Sequence, residues 1–114
     1  MTDAEKRQLY ADIDANPIKA FKVQLKRGDA TYLTMLPDYM LGGICRYLIL
    51  GIKPGSFLTS IVAGEWDLAR KRADATNAMF IDTYRAFLDE ECPKGCHGSP
   101  EAVRAWCEKG GLVG

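Results

Sequence analysis

Apolar positions recur along this chain at helical spacing, in short runs cut by glycine, proline and asparagine. Leu9 and Ile13 lie one turn apart in the stretch 3–15, which Asp3 can cap and Asn16-Pro17 ends. Two periods compete over residues 18–27. Phe21, Val23 and Leu25 alternate with Lys22, Gln24 and Lys26 as a strand would, while Ile18, Phe21 and Leu25 also fit a helix stripe. A lone strand has no evident partner here, so a helix is favoured, followed by a turn at Gly28-Asp29.

The middle of the chain carries clearer punctuation. Leu36-Pro37 opens a helix with proline at its first position, and Gly51 closes it after Leu50. Met40, Ile44, Tyr47 and Leu48 form its buried stripe, widened by Leu41 and Cys45. Gly42 and Gly43 each weaken a helix interior by about 0.8–1 kcal/mol relative to alanine, which predicts a break or a close crossing there. Ser56 follows the Pro54-Gly55 turn as the cap of a short helix holding Phe57, Leu58, Ile61 and Val62, and Gly64 ends it. A further helix spans 65–72 with Trp66 and Ala69 inward and Leu68 off that face. Asp74 caps the longest candidate, 74–90, whose apolar face is Met79, Phe80, Tyr84, Phe87 and Leu88, with Asn77 and Ile81 at its flank. Glu90 and Glu91 fall at its unfavourable carboxyl end and call for partner charges. After the rigid loop 92–98, Ser99-Pro100-Glu101 opens a last helix with Ala102, Val103, Trp106 and Cys107 inward, closed by Gly110-Gly111. The sum is an all-α single domain of five to seven short helices, with residues 1–35 as a looser N-terminal extension.

Composition adds exclusions. A chain of 114 residues suits one domain. Lys plus Arg and Asp plus Glu each number 15, so the net charge is zero and the basic surface that binds nucleic acid is missing. The runs Arg70-Lys71-Arg72 and Asp89-Glu90-Glu91 read as solvated helix faces or ends. No stretch reaches the roughly eighteen apolar residues of a membrane span. The start, Met1-Thr2-Asp3-Ala4-Glu5-Lys6-Arg7, lacks the layout of a signal peptide, so cytoplasmic residence in a host cell is the expectation. Cysteines there stay reduced, and the fold is not expected to rest on disulfides.

Candidate chemistry is sparse. Cys92, Cys96 and His97, with Cys107 beyond them, supply donors that zinc accepts. Adjacent Cys96 and His97 cannot readily reach one ion, however, and no second Cys-x-x-Cys unit exists, so no metal and no other cofactor is expected. His97 has no residue in view to orient it as a base, and no carboxylate pair is set for acid–base work, so no catalytic residue is assigned. The turn Lys53-Pro54-Gly55-Ser56 offers a lysine, free amides and a hydroxyl at a helix start, where anions are favoured, and Arg46 can join them. A full phosphate-loop pattern is absent, and a plain turn explains the same residues. Tyr32, Leu33, Met35 and Leu36 form an apolar run that either lines the core or meets a partner. Met79, Phe80 and Ile81 offer a face for a homodimer if the fold leaves it uncovered.

One resemblance bears on function. The residues Leu36-Pro37-Asp38-Tyr39, Gly42, Arg46-Tyr47, Gly51-Ile52 and Pro54-Gly55-Ser56-Phe57-Leu58 resemble small uncharacterised proteins encoded by tailed phages and prophages of Gram-negative bacteria. The similarity continues through Arg72-Ala73-Asp74, Asn77, Tyr84, Phe87-Leu88 and Cys96-His97-Gly98-Ser99-Pro100-Glu101 to Trp106. It covers residues 36–107 and carries no catalytic role to transfer. It implies a phage accessory product that binds a host or phage protein and alters its activity. The alternative from the residues themselves is a binder of a small anionic ligand such as a nucleotide, at Lys53, Gly55, Ser56 and Arg46.

Overall fold

Caps and helix-breaking residues set the element boundaries. The computed structural model describes residues 1–114 and contains nine helices. They are α1 (Asp3–Ala15), α2 (Pro17–Leu25), α3 (Thr31–Met35), α4 (Asp38–Leu50), α5 (Ser56–Val62), α6 (Trp66–Arg72), α7 (Ala75–Ala78), α8 (Ile81–Glu91) and α9 (Pro100–Lys109). The all-α reading holds, and the number of helices is corrected from five to seven upwards to nine. Two local effects account for the excess. Leu36, before a proline, is held extended at φ −72° and ψ 155°, which ends a separate α3 ahead of α4. The expected 74–90 helix is interrupted because Met79 and Phe80 hydrogen-bond three residues back, to Thr76 and Asn77, tightening the turn between α7 and α8.

Several caps also differ from expectation. Thr2, not Asp3, caps α1: its hydroxyl accepts from Glu5 N–H at 3.1 Å, and the Glu5 carboxylate accepts from Thr2 N–H at 2.9 Å. Asn16 serves two helices, closing α1 with its N–H and capping α2 through its side chain at 3.1 Å from Lys19 N. Pro37 flanks α4 rather than opening it. Gly55 occupies the flanking position of α5, and Ser56 is that helix's first residue with no capping bond from its hydroxyl. Residues 17–25 are helical, with Phe21 buried and Val23 exposed, so the helix stripe prevails over the strand alternation.

A single cluster of 26 buried residues forms the core. The first 35 residues, expected as a looser extension, contribute Leu9, Ile13, Ala20, Phe21, Ala30 and Leu33 to it. α1 and α2 pack on each other and on α4, and α3 packs on α8. Phe21 meets Phe87 at 5.7 Å between ring centres, and Phe57 meets Tyr84 edge-on at 5.5 Å, tying both halves of the chain together. α4 runs unbroken through Gly42 and Gly43. A Cβ at Gly42 would lie 2.8 Å from the Arg46 guanidinium, and one at Gly43 would lie 3.3 Å from Leu58, so the pair admits a close approach.

The carboxyl end of α4 is closed by bonds from several parts of the chain. A helix leaves its last carbonyls without internal partners. Here Gly51 N–H reaches Tyr47 O, Leu112 N–H reaches Leu48 O and Val113 N–H reaches Ile49 O. The Trp106 indole N–H adds bonds to Tyr47 O at 3.1 Å and Leu48 O at 3.2 Å. Gly51 and Gly111 have φ of 69° and 75°, and a Cβ on Gly111 would stand 2.4 Å from Gly51 N, so the two strands of backbone cross where only glycine fits. The Tyr47 hydroxyl donates to Cys96 O at 2.5 Å, which fixes the loop before α9.

The charge problem at the end of α8 has a local answer. Glu91 is buried, and its carboxylate accepts from Tyr32 N–H and Leu33 N–H, each at 3.0 Å. Those are free amides in the first turn of α3, whose flanking residue Ala30 supplies no side-chain cap. The acidic run 89–91 is therefore not wholly a solvated helix end: its last member docks α3. No buried side-chain polar atom lacks a hydrogen-bond partner.

Candidate functional site

Two surface regions stand apart from this satisfied interior. The first surrounds the amino end of α4. Tyr39 donates its hydroxyl to Asp74 Oδ2 at 2.7 Å, and Asp74 Oδ1 accepts from Asn77 N–H at 2.7 Å. Asn77 in turn accepts the buried Tyr84 hydroxyl at 2.7 Å. This chain of bonds fastens α7 to α4 and α8. The Asn77 amide, then the Tyr39 hydroxyl, hold the Asp74 carboxyl below its ordinary value, and the same bond raises Tyr39. Burial raises Tyr84, with the Tyr39 and Asp74 charges adding to it. On the segments so joined, Tyr39 is 60% exposed and Met79 81%; Met35, on α3 ahead of α4, is 51% exposed.

Met79 was expected on the apolar inner face of 74–90. The tight turn at 79–80 rotates it outward, leaving Phe80 half-buried and Ile81 buried. Of the face Met79, Phe80 and Ile81, only Met79 is thus fully presented. The run 32–36 divides similarly, with Leu33 and Leu36 in the core and Met35 outside.

The second region is an open cleft of about 310 Å³ between α5, the turn after it, and α9. Thr59 comes from α5, Val103, Arg104, Cys107 and Glu108 from α9, and Lys53, Ala63 and Glu65 from the segments that flank α5. Burial raises the Cys107 thiol, while the nearby Lys53 ammonium opposes the shift. Lys53 and Cys107 are among the candidate residues of the sequence, whereas Arg104 and Glu108 are not. Their spacing around Cys107 on one helix face was readable, but not that this face would oppose Lys53.

The four residues grouped for an anion do not converge. Only Lys53 lines the cleft. Gly55 is open, with nothing near its missing side chain. Ser56 is exposed, and its carbonyl accepts from Arg72 at 3.0 Å and from the Ser60 hydroxyl at 2.9 Å. Arg46 turns to α1 instead, 2.6 Å from Asp14 and with its guanidinium 5.4 Å from the centre of the Tyr10 ring. Arg72 likewise leaves the solvated basic run to reach Ser60 Oγ at 2.7 Å.

The candidate zinc donors are not gathered into one site, although the Cys92 and Cys96 thiols lie within hydrogen-bond reach of each other. Cys96 is buried beneath Tyr47, Cys107 lies in the cleft, and Cys92 and His97 are half-buried. No group of three or more His, Cys, Asp or Glu side chains is placed to hold a metal ion. All four cysteines are free thiols. Burial pushes Cys45 up to about 12 and raises Cys92 strongly, so neither is a thiolate near neutrality. No helix is long and apolar enough to cross a membrane. Comparison with family models, curated proteins and solved structures finds no match to this chain.

Proposed function

We propose that this chain is a small phage-encoded accessory protein that acts by binding a host or phage protein in the cytoplasm. The observation that carries this reading is the exposure of Tyr39 and Met79 on segments that a hydrogen-bond network holds in place. Scattered apolar residues on a surface need no explanation. A tyrosine and a methionine on segments tethered to each other are different, because methionine adapts its shape to a partner and tyrosine combines a large apolar ring with a polar tip. The network lowers the entropy lost when such a surface is covered. The resemblance of residues 36–107 to phage and prophage products supplies the setting, and Tyr39 and Asp74 are both among the residues that carry it.

Affinity isolation from the phage-bearing host tests this directly. The native chain is compared with the double variant Tyr39→Ala, Met79→Glu, whose helix content is checked by circular dichroism. One protein recovered with the native chain and lost with the folded double variant is the expected result. Equal recovery by both, or recovery by neither, would refute the reading.

A further inference from the structure

The cleft between α5 and α9 supports a separate inference. Its walls run antiparallel. Gly98 N–H donates to Val62 O at 2.8 Å where α5 ends, and α9 departs from there to bring Cys107 back to Lys53, ahead of α5. Ala63, Val103 and Cys107 give the cleft an apolar floor. Four charged side chains stand around it. Lys53 and Glu108 lie towards one end, Glu65 towards the other, and Arg104 one helical turn before Glu108.

None of these four is in an ion pair; the three pairs of the protein are Arg27–Asp29, Arg46–Asp14 and Arg70–Asp67. Their arrangement selects against a simple anion. The lining carries two cations, Lys53 and Arg104, and two carboxylates, Glu65 and Glu108, so a phosphate entering it meets repulsion as well as attraction. A molecule with separated opposite charges faces no such conflict, because Lys53 takes its negative end and Glu65, at the far end of α5, its positive end. The seven residues of α5 rise about 10 Å at 1.5 Å each. Two or three extended peptide units of about 3.3–3.6 Å, met by the long Lys and Glu side chains, span that distance. The volume agrees, since 310 Å³ is at the lower limit of small-molecule sites, which run about 300–1,000 Å³.

We propose that the cleft binds a short zwitterionic peptide of two or three residues, its carboxylate on Lys53 and its ammonium on Glu65, over the floor formed by Ala63, Val103 and Cys107. Arg104 and Glu108 line the same wall and hold the peptide backbone. This site is independent of the corner at Met79 and stands or falls separately from it.

Titration of the isotope-labelled protein with triglycine, followed by amide NMR shifts, tests the proposal. Saturable shifts at Thr59, Ala63, Val103 and Cys107 are expected. Lys53→Ala and Glu65→Ala should each weaken binding at least fivefold, and the same NMR spectra report whether these exposed-site variants remain folded. N-acetyl-triglycine amide, which has neither charge, should give no saturable shift. Triglycine should also slow alkylation of Cys107, mapped by mass spectrometry. Absence of saturable shifts with triglycine would overturn the proposal. Equal binding of the doubly capped peptide would do so too, as would equal binding of N-acetyl-triglycine, which would make the cleft an anion site.

Discussion

The two ends of α4 are built on opposite plans. At the carboxyl end, the tail, Gly51 and the Trp106 indole take up the carbonyls of Tyr47, Leu48 and Ile49, inside the core. At the amino end, Pro37 offers no side-chain cap, Tyr39 points outward to Asp74 on the segment that leads to exposed Met79, and Met35 just ahead of the helix stands in solvent. Stability is concentrated at the first and an available surface at the second. Substitutions should therefore separate the two, with large losses of stability at one end and losses of binding without unfolding at the other.

The largest effect belongs to the carboxyl end. Trp106→Ala removes a buried indole together with its bonds to α4, and a loss of about 3–5 kcal/mol is expected in urea unfolding. A loss under about 1 kcal/mol would show that the tail and Gly51 suffice there. Glu91→Ala strips the two α3 amides of their acceptor, one of them on buried Leu33, and should cost about 1–3 kcal/mol. Because α3 leads into the amino end of α4, this variant should also speed amide exchange at Tyr32 and Leu33 more than at Leu48.

Acid acts on the amino end through Asp74. Asp74 has a folded-state pKa below its ordinary 3.8. Its contribution is therefore complete above that value and is lost as pH falls through the lower folded one. Between pH 5 and about 2, the Asn77 and Tyr39 signals should titrate together in NMR spectra, and Asp74→Asn should flatten that dependence. Independent titration of the two residues would break the network inferred here. The smallest stability effect is expected from Met79→Glu, within about 0.5 kcal/mol of the native protein.

The sequence made these two ends unequally legible. Gly51 as a left-handed stop, Ser99-Pro100 as a start and Asn16-Pro17 as a boundary follow from local backbone chemistry, and each is found where expected. What is not local was not legible. The amides that open α3 are met by Glu91, 58 and 59 residues away, so no cap could be read beside that helix. Tyr39 finds Asp74 across 35 residues, and Arg46 finds Asp14 across 32, which is why one entered no candidate site and the other was grouped with Lys53. Helical periodicity placed Met79 inward because it assumes an unbroken helix, and the three-residue hydrogen bonds at Met79 and Phe80 rotate that register.

Site-specific photo-crosslinking tests most directly whether the open end of α4 is a protein-binding surface. A photoreactive residue is placed at position 79 and, as a control, at Asp67, whose side chain is fully exposed on α6. Irradiation in cells that produce the protein should yield one discrete conjugate from position 79 and none from position 67, and Tyr39→Ala should diminish it. No conjugate from position 79, or the same species from both positions, would contradict the account.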